Sequence, residues 1–98
     1  KFSTDLFRVL DLIRGIFLMF TIYTKEACGY CLMAKEEMRR LGIPFKELLV
    51  TPLSPLMDEV LEKSGCDVMT LTFPQIFNSE GNHIGGYMDL LDYTYDMI

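Results

Sequence analysis

Apolar positions recur along the first half of this chain in a pattern that predicts a strand followed by a helix. Residues 20–23 alternate β-forming side chains and are typical of a core strand. After residue 28 the apolar positions repeat at helical spacing, and we expect the charged residues 35–37, 39 and 40 mostly to face water. Gly42 and Pro44 should end this helix. Its predicted core stripe consists of Cys31, Ala34, Met38 and Leu41.

The next apolar run, Phe45 to Val50, predicts a second strand. Because most of its residues are apolar, we expect it to lie in the interior of a sheet. A strand, a helix and a strand in this order predict a right-handed parallel crossover.

The second half of the chain predicts a short helix, two strands and a final helix. The short helix covers Leu56 to Lys63, the third strand Phe73 to Phe77, and the fourth strand His83-Ile84 after a turn at residues 78–82. Asp89 should open the last helix, with its core side chains at Leu90, Leu91 and Tyr95. This order predicts an α/β fold with a four-stranded mixed sheet flanked by helices.

Residues 1–18 predict an extra N-terminal helix, with an apolar stripe that includes Leu6, Leu10 and Phe17. We treat residues 1–18 as an extension and residues 19–98 as the domain that carries the chemistry. The apolar run at residues 16–20 is too short to span a membrane, and no small-residue cleavage site follows it, so a secretory signal is not expected.

Composition narrows the class of protein further. The chain has 98 residues, of which 50% are hydrophobic and 23% charged, which predicts a single small folded domain. A formal net charge of -5 argues against nucleic acid or an anionic membrane as a partner. Three cysteines are too few for a disulfide framework and favour a reducing, cytoplasmic compartment. We interpret Cys66 as a bystander thiol.

The candidate chemistry is the pair Cys28-Gly29-Tyr30-Cys31, at the junction of the first strand and the following helix. At a helix start, unpaired N–H groups and the helix dipole favour the thiolate of the first cysteine, the form that attacks disulfides. Half of a zinc site has the same spacing, but its remaining ligands would have to be Cys66 and His83, whose spacing does not fit. We interpret His83 as structural or exposed and the seven methionines as core filler.

Three motifs in order resemble the glutaredoxins, and small phage-type glutaredoxins in particular. They are the C-x-x-C at residues 28–31, Thr72-Phe73-Pro74-Gln75-Ile76-Phe77, and His83-Ile84-Gly85-Gly86-Tyr87. The resemblance covers residues 19–98 and implies a thioredoxin-like fold. It also implies a glutathione-dependent thiol–disulfide oxidoreductase, with ribonucleotide reductase as one electron acceptor.

The resemblance implies a role for each matching residue. Cys28 would be the nucleophile and Cys31 the resolving thiol. Lys25 would bind a glutathione carboxylate and favour the thiolate, and Tyr30 would line the groove. The loop with a cis proline, which pairs with the cysteinyl part of glutathione, would be Thr72, Phe73 and Pro74. The site for the γ-glutamyl end would be Gly85, Gly86, Tyr87, Met88 and Asp89.

Two departures from the family pattern leave alternatives open. Gly29 stands where most dithiol members have proline, and members with glycine or serine there can hold a [2Fe–2S] cluster between two protomers with glutathione. Met88 stands where many members have serine or aspartate. A thioredoxin-type electron donor is a further alternative, although this chain has no tryptophan before Cys28. We expect a monomer or weak dimer whose partners are glutathione and disulfide-containing proteins.

Overall fold

A computed structural model describes residues 19–95. The predicted N-terminal helix and the division at residue 18 lie outside these residues. Four strands and three helices follow one another in the order β1, α1, β2, α2, β3, β4 and α3. Their bounds are β1 Phe20–Thr24, α1 Gly29–Arg40, β2 Phe45–Leu49, α2 Pro55–Ser64, β3 Gln75–Phe77, β4 His83–Gly85 and α3 Tyr87–Thr94.

The four strands form one mixed sheet in the order β2-β1-β3-β4. Strand β1 is parallel to β2, with Phe20 opposite Phe45, and antiparallel to β3, with Ile22 opposite Ile76. Strand β4 runs antiparallel to β3 with a register shift. The predicted α/β fold with a four-stranded mixed sheet flanked by helices is therefore confirmed.

Alternate side chains of β1 enter two separate cores, one on each face of the sheet. Ile22 points to the face covered by α1 and α3, where it packs with Met38 and Leu90. Tyr23, the next residue, points to the opposite face and packs with Val60 of α2. The sheet is thus the middle layer of three, and α1 is anchored along its length by Ala34 and Met38.

The expectation that the second strand lies inside the sheet is wrong. Among the strands of residues 19–95, β2 lies at the edge of the sheet, and Lys46, Glu47 and Leu49 are exposed. Charged side chains such as Lys46 and Glu47 are common on edge strands, where fewer neighbouring side chains cover them and they stay in contact with solvent. Only Phe45 and Leu48 are half-buried along this strand.

Two further expectations, about the last helix and about the methionines, are wrong. The last helix begins at Tyr87 rather than Asp89 and ends at Thr94, which leaves Tyr95 76% exposed. Thr94 takes the inward position one turn after Leu90, and its hydroxyl donates to the Leu90 carbonyl oxygen at 2.9 Å. The methionines are not all core filler either, because four are exposed: Met19, Met33, Met69 and Met88.

Across residues 19–95, every helix is too short or too polar to serve as a membrane span.

Replacing Met38 by alanine should destabilise the protein by about 2–5 kcal/mol, because the side chain is fully buried between the sheet and α3 and its removal leaves a cavity. Chemical denaturation followed by circular dichroism measures the change. Met33 lies on the same helix but is 47% exposed, so Met33→Ala is the matched control and should shift stability by no more than about 0.5 kcal/mol. Equal losses in the two variants would contradict this account of the core.

Candidate active site

Cys28 is the N-cap residue of α1. Its backbone is extended, with φ -112° and ψ 104°, and its Sγ accepts a hydrogen bond from the Cys31 N–H at 3.2 Å. Sulfur thus takes the place of the side-chain oxygen that usually satisfies a free N–H in the first turn. The two cysteines form a disulfide across a Cα–Cα distance of 5.2 Å.

The two sulfurs differ in exposure. Cys28 is half-buried, whereas Cys31 is only 2% exposed because it lies on the inward stripe of α1. Among the described residues, Cys28 lines the large groove beside the dithiol and Cys31 does not. Cys28 is therefore the sulfur that an incoming disulfide can reach.

The groove has a volume of about 580 Å³ and runs from the first turn of α1 to the start of α3. It brings together most of the residues expected at the site. Those lining it are Lys25, Cys28, Tyr30, Thr72, Phe73, Pro74, Gly86, Tyr87, Met88 and Asp89. Of the predicted set, Cys31 lies beneath it and Gly85 is buried in β4.

Phe73 forms the wall nearest to the sulfur. Its carbonyl oxygen lies 3.7 Å from Cys28 Sγ, and the Phe73–Pro74 peptide bond is cis, as the resemblance implied. The Lys25 ammonium lies 5.9 Å from the centre of the Phe73 ring, which places a positive charge at this wall. Tyr30 and Tyr87, with ring centres 6.1 Å apart, form the apolar end of the groove.

The start of α3 is held by Asp89. One oxygen of its carboxylate accepts from the Gly86 N–H at 2.9 Å. Gly85 has φ 121°, and a Cβ built at this residue would collide with the Asp89 carboxylate. Glycine at 85 is therefore required for the Asp89 cap, and the cap in turn sets the position of Gly86 in the groove.

Gln75 supports the groove from below, and the sequence analysis missed it. The side chain is 4% exposed, and its Nε2 donates to the Thr72 carbonyl oxygen at 2.8 Å. Because a carbonyl only accepts, the amide orientation leaves Gln75 Oε1 facing His83 Nε2, 2.6 Å away, and that nitrogen must carry the proton. A polar residue within an apolar strand was the signal that could have identified it.

A second polar cluster, which the sequence analysis also missed, ties α1 to the sheet behind the dithiol. Glu47 accepts from the Thr24 hydroxyl at 2.7 Å and from Lys35 Nζ at 3.0 and 3.2 Å. Hydrogen bonding from these two partners, Thr24 first and then Lys35, lowers the pKa of Glu47. Lys35 was expected to face water, but its side chain is only 14% exposed because it lies against Glu47.

The fold and the site define a class of protein. A dithiol at the start of the helix after β1, beside a groove walled by a cis-proline loop, is the arrangement of a thioredoxin-like thiol–disulfide oxidoreductase. The glutaredoxin family model matches residues 20–84, and the chain belongs to the glutaredoxin family.

Curated relatives agree with this assignment. Glutaredoxin 3 of Escherichia coli strain K12 is 41% identical over 69 residues, covering 70% of this chain and 77% of that protein. The glutaredoxin of Enterobacteria phage T4 is 34% identical over 85 residues, covering 76% of this chain and 98% of that protein.

Solved structures show the same fold. The solution structure of a glutaredoxin from Brucella melitensis is 36% identical, with a TM-score of 0.61 and coverage of 82% of this chain and 80% of that one. A buckwheat glutaredoxin–glutathione complex has a TM-score of 0.65 over 96% of this chain and 86% of that one. At 22% identity, this second likeness concerns the fold alone.

The stability that Glu47 contributes should depend on pH. Its pKa is lower in the folded protein than the value of about 4.3 expected for an unfolded chain. The contribution is therefore fully present above that unfolded value and is lost as pH falls through the lower folded pKa. At neutral pH, wild type should be more stable than Glu47→Gln by roughly 0.2–1 kcal/mol, the range for ion pairs in contact with solvent.

Urea denaturation of both proteins between pH 7 and pH 3 measures this difference. Glu62→Gln, at an exposed glutamate of α2, is the control and should run parallel to wild type over the whole range. A stability gap for Glu47→Gln that stays constant down to pH 3 would show that the carboxylate charge is not what stabilises this cluster.

Proposed function

We propose that this protein reduces protein disulfides and glutathione mixed disulfides with glutathione as its electron source. The observation that carries the proposal is the asymmetry of the dithiol. Cys28 opens onto a groove with a cation, a strand-like loop and a helix start along its length, whereas Cys31 is buried beneath it. That arrangement suits a division of roles in which Cys28 exchanges with a bound substrate and Cys31 reacts only with Cys28.

The reaction proceeds by thiol–disulfide exchange. The Cys28 thiolate attacks one sulfur of the substrate disulfide, forms a new S–S bond with it and releases the other sulfur as a thiolate. For a protein disulfide, Cys31 then attacks Cys28 Sγ and releases the second substrate thiolate. For a glutathione mixed disulfide, Cys28 takes up the glutathionyl group, and a second glutathione removes it as glutathione disulfide.

The groove suits the chemistry of glutathione, a small anionic peptide. Lys25 offers a cation for a carboxylate, and the loop of Thr72, Phe73 and Pro74 offers backbone groups beside Cys28. The free N–H groups at the start of α3 favour the γ-glutamyl carboxylate. Here Met88 can offer its N–H but no side-chain hydrogen bond, while the Asp89 carboxylate is already engaged by Gly86.

The proposed electron acceptor, compartment and oligomeric state rest on the family resemblance and on composition. One of the glutaredoxins similar to this chain comes from a phage, and we propose ribonucleotide reductase as one acceptor and the cytoplasm as the compartment. We propose a monomer or weak dimer as the oligomeric state. The [2Fe–2S] alternative rests on Gly29 and stays a prediction.

A coupled assay tests the glutathione dependence. Reduction of a glutathione mixed disulfide is followed as NADPH oxidation, with glutathione and glutathione reductase as the sole electron source. We expect turnover in this system and little when thioredoxin reductase replaces glutathione and its reductase. The opposite preference would assign the chain to the thioredoxin-type alternative.

The two cysteines should separate in the same assay. Cys28→Ser should abolish activity on both kinds of disulfide, because no attacking thiolate remains. Cys31→Ser should keep activity on the glutathione mixed disulfide, where free glutathione resolves the intermediate, and lose most of its activity on an intramolecular protein disulfide. Cys66→Ser is the control and should match wild type on both, since this half-buried thiol is outside the disulfide. A Cys28→Ser protein that still turns over would refute the assignment.

Alkylation of the reduced protein gives an independent readout. At mildly acidic pH, iodoacetamide should label Cys28 before Cys31 and Cys66. Cys28 lines the groove, and its position at the N-terminus of α1 favours the reactive thiolate. Mass spectrometry of the digested protein locates the label. Faster labelling of Cys31 would reverse the assigned roles.

A further inference from the structure

The dithiol borders two cavities. Cys28 lines both the large groove and a smaller cavity of about 180 Å³ at the first turn of α1. Cys31 lines the smaller cavity, together with Thr24, Lys35 and Glu47. The buried sulfur therefore faces the polar cluster that ties α1 to β1 and β2.

The cluster is well ordered by its own contacts. Thr24 is 1% exposed and donates to Glu47 Oε2, while Lys35 Nζ is within hydrogen-bond distance of both carboxylate oxygens. Lys35 follows Cys31 by one helical turn, so the two side chains share a face of α1. The Glu47 side chain is 36% exposed, which leaves its carboxylate in contact with both the cavity and solvent.

The resolving step creates a need for a proton acceptor at this place. Cys31 must lose its proton as it attacks Cys28 Sγ, yet burial disfavours a thiolate. The Cys31 N–H does not compensate, since it donates to Cys28 Sγ. Cys31 lines the smaller cavity and not the groove, so the smaller cavity is where an acceptor can reach its proton.

Glu47 is the side chain in this cavity that can accept the proton. Lys35 carries a donor-only ammonium, and the Thr24 hydroxyl proton is already committed to Glu47. Glu47 has no direct contact with Cys31 among the hydrogen bonds of the described residues, but the cavity volume admits several waters at about 30 Å³ each.

We propose that Glu47 receives the Cys31 proton through water in the smaller cavity during resolution, with Lys35 and Thr24 holding its carboxylate in place. The inference rests on the proposed dithiol reaction. The Cys31 S–H bond breaks and its proton passes to Glu47, while the sulfur electron pair forms the bond to Cys28 Sγ. The bond between Cys28 and the substrate sulfur breaks, and that sulfur leaves as a thiolate. The dithiol is oxidised by two electrons and the substrate disulfide is reduced.

The electrostatics of the cluster suit this role. Glu47, like any exposed glutamate, is ionised at neutral pH, so an acceptor is present when Cys31 reacts; the hydrogen bonds from Thr24 and Lys35 lower the pKa of Glu47 and so make it a weaker base, which limits the size of its effect. Because the side chain is partly exposed, the proton can pass on to solvent after the transfer.

The test is Glu47→Gln, which keeps the shape of the side chain and an accepting oxygen for Thr24 and Lys35 but removes the basic carboxylate. Activity is measured on an intramolecular protein disulfide, which needs Cys31, and on a glutathione mixed disulfide, which does not. The ratio of the first rate to the second should fall about tenfold or more, which is less than the roughly 10²–10⁴-fold of a directly positioned general base because water intervenes and Glu47 is a weak base. Glu37→Gln is the matched control. Glu37 forms a salt bridge with Arg40 within α1, as Glu47 does with Lys35, but it does not line the cavity.

A second readout follows the covalent complex between Cys28 and the protein substrate. In a single turnover without glutathione, quenched with acid and resolved by mass, this complex should last longer in Glu47→Gln than in wild type. A purely structural loss would lower both rates together and leave the lifetime of the complex unchanged, and that outcome would overturn the proposal. The lifetime is measured without glutathione, so it separates this inference from the glutathione dependence: a chain inactive with glutathione can still show the prolonged complex.

Discussion

The hydrogen bond from the Cys31 N–H to Cys28 Sγ is the interaction on which the rest of the site depends. It makes Cys28 the cap of α1, so the position of its sulfur is set by the helix rather than by a loop. The helix is in turn fixed on the sheet by Ala34 and Met38, which are fully buried. The same hydrogen bond directs the Cys31 amide dipole at Cys28 Sγ.

This one constraint divides the surroundings of the dithiol into two environments. On the Cys28 side, the Phe73 carbonyl and Lys25 border an open groove suited to a peptide thiol. Cys31 lines a smaller cavity that Cys28 also borders, where Lys35 and Glu47 supply charged groups. In the proposed reaction, the substrate disulfide approaches Cys28 from the groove, and the Cys31 proton leaves through the smaller cavity.

The elements were predictable because their signals are local. The helical stripe of α1 and the alternation in β1 predicted these elements within a few residues of their bounds, since periodic burial follows from the geometry of each element. The interior placement of β2 was wrong, because the apolar count of a strand does not state how many neighbours it has. Lys35 and Tyr95 were misplaced for the same reason: what covers a side chain depends on residues distant in the chain.

By itself, the sequence determined the family, the dithiol and the loop that faces it. Each of these features lies within one short run of consecutive residues, so it can be recognised without knowing what packs against it. Tertiary structure alone decided the supporting groups. Gln75 reaches the Thr72 carbonyl and His83, and Glu47 reaches Thr24 and Lys35, across strands and helices that the fold brings together. Such contacts depend on strand register and side-chain direction across the sheet, which no local spacing encodes.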